Sequence, residues 1–183
     1  QITAAVVRER SGAFAIEQLD LCDPRADEYL STGTTVGGTF HRQSNAAPLS
    51  AFADRRTYTY KGQPIDHQTH LGYDLASLKL SPVEAAQTGT VVFADNLGIY
   101  GNAVILDHGL GLFSLYGHLS SFAVKAGDQV TIGQTLGQTG ETGLAGGDHL
   151  HFSILLRGVH VDPVEWWDPH WLHDHVTPKL TMF

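Results

Sequence analysis

The chain has 183 residues, 42% of them hydrophobic, which is enough for one sizeable core with a small appendage. A formal net charge of -8, without a Lys/Arg stripe, argues against nucleic acid as a partner. No apolar run approaches the roughly 18 residues of a membrane-spanning helix, and the lone Cys22 excludes an internal disulfide framework.

The first 39 residues differ in character from the rest. Short runs at 3–7 and 13–19 are typical of strands, and 31–39 is a Gly/Thr-rich connector. We expect residues 1–39 to be the remnant of an upstream domain or a linker. The chain starts at Gln1 without a signal peptide, which indicates a processed fragment.

Helix is scarce in the sequence pattern. Residues 81–86, which open with Ser-Pro and carry Glu84, have a plausible N-cap and predict a turn or two of helix. From Thr88 onward, β-branched or alternating runs are bounded by glycine-containing turns. These runs lie at 90–94, 103–107, 112–119, 129–132, 135–138 and 149–156. They predict a mostly β fold, an antiparallel β-sheet sandwich or barrel.

Metal-capable side chains occur in two short clusters that are far apart in the sequence. If residues 70–76 are extended, His70 and Asp74 share one face of a strand. The same alternation puts His149, His151 and Ser153 on one face of the run at 149–156.

Between these clusters, alternation in the run at 112–119 groups Ser114, Tyr116 and His118. Three strands can therefore direct five side chains to one open groove: His70, Asp74, His118, His149 and His151. A single His-x-His is more often structural than metal-binding, but the combination favours a metal site. Catalytic zinc takes three protein ligands from His, Asp or Glu, and the spacing leaves open which three.

These residues resemble the lysostaphin/LytM-type zinc endopeptidases, peptidase family M23. The resemblance runs from about Phe40 to Pro163 in the family's motif order. It is carried by His70-Leu-Gly-Tyr-Asp74, Tyr116-Gly-His118, Gly140-Glu-Thr-Gly143, His149-Leu-His151 and Val161-Asp-Pro163. It implies a LytM/duplicated-hybrid-motif type of β-sandwich over residues 40–165. The Trp/His-rich extension at 166–183 lies outside the family pattern.

The resemblance implies a role for each candidate residue. His70, Asp74 and His151 correspond to the ligands of one zinc ion per chain, and His118 and His149 to two catalytic histidines that bind no metal. No His-Glu-x-x-His motif is present, so a glutamate base is not expected. Which of the two histidines is the general base stays open.

The resemblance also implies the activity. We expect hydrolysis of peptide stems or cross-links of bacterial peptidoglycan by a metal-activated water, outside the cytoplasm in the periplasm or envelope, or as a secreted protein. The alternative is a non-catalytic LytM-type module that binds the wall or activates a peptidoglycan amidase. Such modules have usually lost ligand residues, and this chain keeps them. The sequence sets no oligomeric state.

Weaker signals concern the surroundings of the groove. Arg56, Tyr58 and Tyr116 are candidate substrate-binding residues, Arg56 because a guanidinium can hold a peptide carboxylate. An upstream donor could hold the enzyme latent, and His41, Gln43 and Asn45 are the candidates. The tail from Trp166 is expected to dock on the core.

Overall fold

A computed structural model of the protein describes residues 38–180. The strands expected at 3–7 and 13–19, most of the connector at 31–39, and Cys22 lie outside these residues. As predicted, the described part is mostly antiparallel β-structure. Its strands are β1 (Ala47–Ser50), β2 (Arg55–Tyr60), β3 (Gln63–Thr69), β4 (Tyr73–Ala76), β5 (Pro82–Glu84), β6 (Gly89–Asn96), β7 (Asn102–Asp107), β8 (Leu112–Leu119), β9 (Ser121–Phe122), β10 (Gln129–Val130), β11 (Thr135–Gln138), β12 (Leu150–Leu156) and β13 (Val159–Val161).

Helix within residues 38–180 is confined to short segments. A 3-10 turn spans Gly98–Tyr100, and three helices lie at the end of the described range: α1 (Pro163–Trp167), α2 (Pro169–His175) and α3 (Thr177–Leu180). The first two helices start in the same way. An aspartate caps backbone amides of the first turn, Asp162 for α1 and Asp168 for α2, and a proline follows it directly. No helix in the described range is long and apolar enough to cross a membrane.

One large sheet organises the domain. Its strand order is β1-β4-β12-β8-β7-β6-β10, with β13 also paired to β12. A smaller sheet has the order β5-β11-β9, and β2 and β3 form a separate hairpin. Because β12 lies between β4 and β8, His151 stands opposite Asp74 on one side and Gly117 on the other. This register determines where the candidate site forms.

The two faces of the large sheet bury different side chains. One face packs Tyr116, Leu150 and Phe152 against the smaller sheet and the C-terminal helices. The other face carries a smaller apolar cluster that includes Leu115 and Leu155. Each such side chain stabilises the fold by about 1.5–3 kcal/mol when fully buried. Both faces of β8 and β12 therefore carry buried apolar side chains.

The helix predicted at 81–86 is wrong. The segment forms β5, in which Val83 is fully buried and pairs with Gly137 of β11. The amide of Ser81 donates to Thr139 Oγ1, where the prediction had Ser81 as an N-cap. An isolated helix of one or two turns does not overcome its nucleation cost, so sheet pairing and burial decide the conformation.

The strand predictions hold best for strands that have a partner strand on both sides. The runs at 112–119 and 135–138 are β8 and β11 without change, whereas the run at 129–132 is reduced to Gln129–Val130. The extended segment expected at 70–76 is interrupted: His70 follows the end of β3, Gly72 lies in a bend, and β4 starts at Tyr73.

The C-terminal extension packs on the core. Trp166 and Leu172 are buried in the same cluster as Phe40 and Leu136. Trp167 stacks on Phe152 with ring centroids 5.6 Å apart. The tail is thus docked on the face of the sheet that lies away from the candidate site.

Candidate active site

Three buried donor atoms converge at the adjoining ends of β3, β4 and β12. His70 Nε2 and His151 Nδ1 each lie 3.0 Å from Asp74 Oδ1 and 3.1 Å from one another. Each of the three residues is 4% exposed. Within residues 38–180 this is the one group of three or more His, Cys, Asp or Glu side chains whose donor atoms come within 4.8 Å of one another.

Both imidazoles are anchored through the ring nitrogen that faces away from Asp74. His70 Nδ1 donates to the carbonyl of Ala51 at 2.8 Å. His151 Nε2 lies 2.9 Å from Ser153 Oγ, which in turn donates to the carbonyl of Leu71. In the neutral tautomers that these contacts favour, His70 Nε2 and His151 Nδ1 present lone pairs to the carboxylate.

Asp74 is the ionised member of the cluster. Burial alone would raise the pKa of Asp74, but its interactions with His151 and His70 outweigh burial and lower the pKa. Burial lowers the pKa of His151 despite the neighbouring carboxylate. Because the anchors occupy the other ring nitrogens, the carboxylate faces His70 Nε2 and His151 Nδ1. Acceptors that converge in this way repel one another unless a cation lies among them, and the donor set suits zinc.

His118 reaches the site through a β-bulge. Strict alternation would put it on the core face with Tyr116, but β8 carries an extra residue: Tyr116 pairs with Val104, and Leu119 pairs with Asn102. His118 has φ +63° at this point. The bulge directs it to the site, where its ring centroid lies 4.7 Å from that of His149.

The two additional histidines are held in the same tautomer. His118 Nδ1 donates to the carbonyl of Thr142 at 2.8 Å, and His149 Nδ1 donates to the carbonyl of Gly147 at 2.7 Å. Burial, with the nearby His151 and His149, lowers the pKa of His118 to about 3. Its Nε2 is therefore an unprotonated acceptor at neutral pH. His149 Nε2 lies 3.7 Å from Asp74 Oδ1, at the edge of the donor cluster.

The three substrate-binding candidates have different positions. Arg56 lies at the site, where its Nη2 donates to Asp74 Oδ2 at 2.7 Å. Tyr58 is half-buried on the β2–β3 hairpin, opposite Asp66. Tyr116 is fully buried on the core face and its hydroxyl accepts from the amide of Ala86. The expectation that Tyr116 lines the groove is therefore wrong, because the bulge separates it from His118.

Two of the latency candidates contact β5 and not the donor cluster. His41 Nε2 pairs with Glu84 at 2.8 Å, and the buried Gln43 donates to the carbonyl of Pro82 at 2.6 Å. The hypothesis that either of them blocks the site is wrong for this structure.

The anchoring partners of the imidazoles were largely missed by sequence reasoning. Alternation placed Ser153 on the face of His151, so this one partner could have been predicted from the sequence. Thr142, Gly147 and Ala51 act through backbone carbonyls, which any residue type supplies. Their roles depend on loop geometry that has no local sequence signal.

Fold and site together define a buried cluster of His and Asp donor atoms on an antiparallel sheet, compatible with metal binding and flanked by two further histidines. Comparison with known proteins identifies the family. The sequence profile of Peptidase family M23 matches residues 68–163, just over half of the chain and all three donor residues. The chain belongs to this family.

Individual relatives agree with the family assignment. The chain is 36% identical over 139 residues to the DD-carboxypeptidase/endopeptidase Mpg of Neisseria meningitidis, covering 75% of this chain and 30% of the relative. It is 35% identical over 168 residues to the peptidoglycan DD-endopeptidase ShyC of Vibrio cholerae, covering 88% and 36%. The chain thus spans about a third of the length of these relatives.

A solved structure shows the same fold. A zinc-containing peptidase from Vibrio cholerae superposes with a TM-score of 0.60 at 29% identity, over 68% of this chain and 39% of that one.

Proposed function

We propose that this chain is a zinc-dependent endopeptidase that hydrolyses peptide stems or cross-links of bacterial peptidoglycan. The observation that carries the proposal is the convergence of His70 Nε2, Asp74 Oδ1 and His151 Nδ1 beside two further buried histidines. Two imidazoles and one carboxylate form a donor set of catalytic zinc sites, which keep one position open for water or substrate.

The three ligands supply a rigid, anionic cradle for the ion. A bound zinc ion contributes Lewis acidity, which makes water more acidic and polarises a peptide carbonyl. The contacts of His70 with Ala51 and of His151 with Ser153 hold each ring in the orientation needed for binding. Asp74 supplies the one negative charge of the donor set.

His118 and His149 provide the proton transfers. Each has Nδ1 occupied by a backbone carbonyl, and neither Nε2 makes a hydrogen bond to another residue in the range 38–180. One of them accepts a proton from the attacking water, and the protonated ring then donates to the leaving amine. General acid–base catalysis of this kind typically contributes about 10²–10⁴-fold to the rate.

The substrate class rests on the family and on relatives such as ShyC, a peptidoglycan DD-endopeptidase. Peptidoglycan lies outside the cytoplasm, so we assign the protein to the periplasm or cell envelope, or to the secreted fraction. We place the peptidase unit at residues 40–165, with 166–183 as its docked extension and 1–39 as an upstream segment.

The test is a paired assay of metal content and hydrolysis. The purified chain is analysed for zinc and incubated with purified peptidoglycan, with and without a chelator. Released fragments are identified by mass spectrometry as new amino and carboxyl termini. His118→Gln serves as the matched variant, because it alters no donor atom of the proposed zinc site.

Near-stoichiometric zinc with chelator-sensitive release of peptides, lost in His118→Gln, is the expected result. Zinc binding without cleavage of any peptidoglycan tested would contradict the endopeptidase. Absence of both zinc and cleavage would favour the alternative of a non-catalytic module that binds the wall or activates an amidase.

A further inference from the structure

Arg56 contacts the candidate metal site from its periphery, where its partner is a carboxylate of the protein itself. Its Nη2 lies 2.7 Å from Asp74 Oδ2, whereas Asp74 Oδ1 is the oxygen that faces His70 and His151. The two oxygens of one carboxylate are therefore divided between the guanidinium and the donor cluster. We propose that Arg56 is a positioning residue that makes Asp74 present a single, oriented oxygen to the metal, a role that rests on the proposed zinc site.

The terminal torsion of an aspartate is broad, so an unsupported carboxylate can rotate about its Cβ–Cγ bond. Rotation would move Oδ1 away from the point where the two imidazoles meet. A charge-assisted hydrogen bond to Oδ2 opposes that rotation. Asp74 is 4% exposed, so its second oxygen has little access to water as a substitute partner.

Arg56 is itself held by the turn that precedes the β2–β3 hairpin. Its Nη2 also donates to Ser50 Oγ at 2.9 Å, and the Ser50 hydroxyl donates to Asp54 Oδ2 at 2.9 Å. Asp54 Oδ2 further accepts from the amide of Ala51 at 2.9 Å. These contacts fix the guanidinium relative to the backbone of the turn.

The same turn supports a second ligand. The carbonyl of Ala51 accepts from His70 Nδ1, and the amide of His70 donates to the carbonyl of Asp54. One segment, residues 50–56, thus orients His70 through its backbone and Asp74 through Arg56. This arrangement explains why the hairpin starts beside the site.

The charge of the guanidinium acts in the opposite direction, because it repels a nearby cation. The Arg56 side chain is 36% exposed, so water screens this repulsion. Partners that orient a metal ligand are typically worth about 10- to 100-fold in metal affinity. We therefore expect the orienting effect to exceed the repulsion.

The test compares zinc affinity in Arg56→Met, Arg56→Lys and Arg55→Met with that of the wild type. Arg55 is the neighbouring arginine, is exposed, and makes no side-chain hydrogen bond to the described residues 38–180, so it is a matched control. Zinc dissociation constants are measured by competition with a chromophoric chelator. We expect Arg56→Met to weaken binding by about 10- to 100-fold, Arg56→Lys to fall between it and the wild type, and Arg55→Met to match the wild type.

Kinetics separate positioning from substrate recognition. Hydrolysis is measured at saturating zinc on a cross-linked peptide with a free carboxylate and on its carboxamide. A positioning residue lowers kcat equally for both substrates and leaves KM unchanged. An unchanged zinc affinity in Arg56→Met, with KM raised only for the carboxylate substrate, would assign Arg56 to substrate binding and overturn the proposal.

Two other outcomes are equally informative. Tighter zinc binding in Arg56→Met would mean that repulsion dominates, which also overturns the proposal. If the wild type binds zinc but hydrolyses no peptide, the endopeptidase proposal fails, while the order of the zinc affinities still decides the role of Arg56.

Discussion

Buried histidines lie on both faces of the same sheet, and only the group on one face has the arrangement of a metal site. On the core face, His108 donates to the carbonyl of Thr88 through Nδ1 and contacts Ser114 Oγ through Nε2 at 2.7 Å. Ser114 Oγ lies 2.9 Å from the Tyr116 hydroxyl, which accepts from the amide of Ala86. Every polar side-chain atom of this core-face network has a partner within the protein.

The site face differs in where its ring nitrogens point. His70 and His151 each use one nitrogen for an anchor and direct the other at Asp74 Oδ1. Burial lowers the pKa of His108 to about 4, just as it lowers that of His118 on the site face. A depressed pKa therefore does not distinguish the two clusters. Convergence of acceptor atoms does, and the predictions below test that distinction.

The largest effect is expected from the ligands. Asp74→Asn removes the anionic donor, and His151→Gln removes the imidazole opposite it, so we expect either change to abolish stoichiometric zinc binding and to reduce hydrolysis to background. His108→Gln changes an equally buried histidine on the other face and should keep one zinc per folded chain. Zinc content of the purified proteins checks both statements. Full zinc content in Asp74→Asn would place the metal elsewhere.

His118→Gln should separate catalysis from metal binding. His118 contributes no donor atom to the cluster, so zinc affinity should stay close to the wild-type value, while kcat falls by about 10²–10⁴-fold with the loss of the proton acceptor. The measurement is kcat on a cross-linked peptide together with the zinc dissociation constant. A kcat within a few-fold of the wild type would remove His118 from the mechanism.

The core-face network should make stability depend on pH. The folded-state pKa of His108, about 4, lies below its ordinary value of 6.5, so between these values the unfolded chain binds a proton that the folded chain does not. This contribution is fully present above pH 6.5 and is lost as the pH falls toward 4, on the order of 3 kcal/mol in total.

Unfolding free energies of the wild type and of His108→Gln, measured by denaturant titration at several pH values, test this expectation. The variant starts from lower stability but should lose less of it between pH 6.5 and 4. Parallel curves for the two proteins would show that His108 does not titrate in this range.

A smaller effect is expected at the loop that anchors His118. Gly143 has φ +70°, and a Cβ there would collide with Gly101 N and approach Ile99 O at 2.5 Å. Gly143→Ala should displace the neighbouring Thr142 carbonyl and lower kcat by about tenfold, since small misplacements of a catalytic group are costly. Gly146→Ala, in the same loop, meets no atom within 4 Å and should leave kcat unchanged. Equal kcat values for the two variants would contradict this role for the loop.

The sequence predicted the central strands well because their side chains alternate over long runs. Leu150 and Phe152 face the larger core, while His151 and Ser153 face the site, as alternation requires. The register that sets His151 opposite Asp74 is a pairing between distant segments, so only the family resemblance anticipated that contact.

Alternation failed where the backbone departs from a regular strand. The bulge at His118 separates it from Tyr116, and nothing in the run at 112–119 marks the extra residue apart from Gly117. The helix prediction at 81–86 failed for a different reason. The local helix preference was weak, and pairing of this segment with β11 stabilises the extended conformation more. The contact between Arg56 and Asp74 was not predicted, because Asp74 and a substrate carboxylate are chemically equivalent partners for a guanidinium until the distance is known.

The most direct test of the metal site is diffraction from zinc-loaded crystals on both sides of the zinc absorption edge. We predict one strong anomalous peak per chain, bonded to His70 Nε2, Asp74 Oδ1 and His151 Nδ1. A peak on the core face at His108 or at the tail histidines His170, His173 and His175, or no peak at the three predicted donors, would contradict the account.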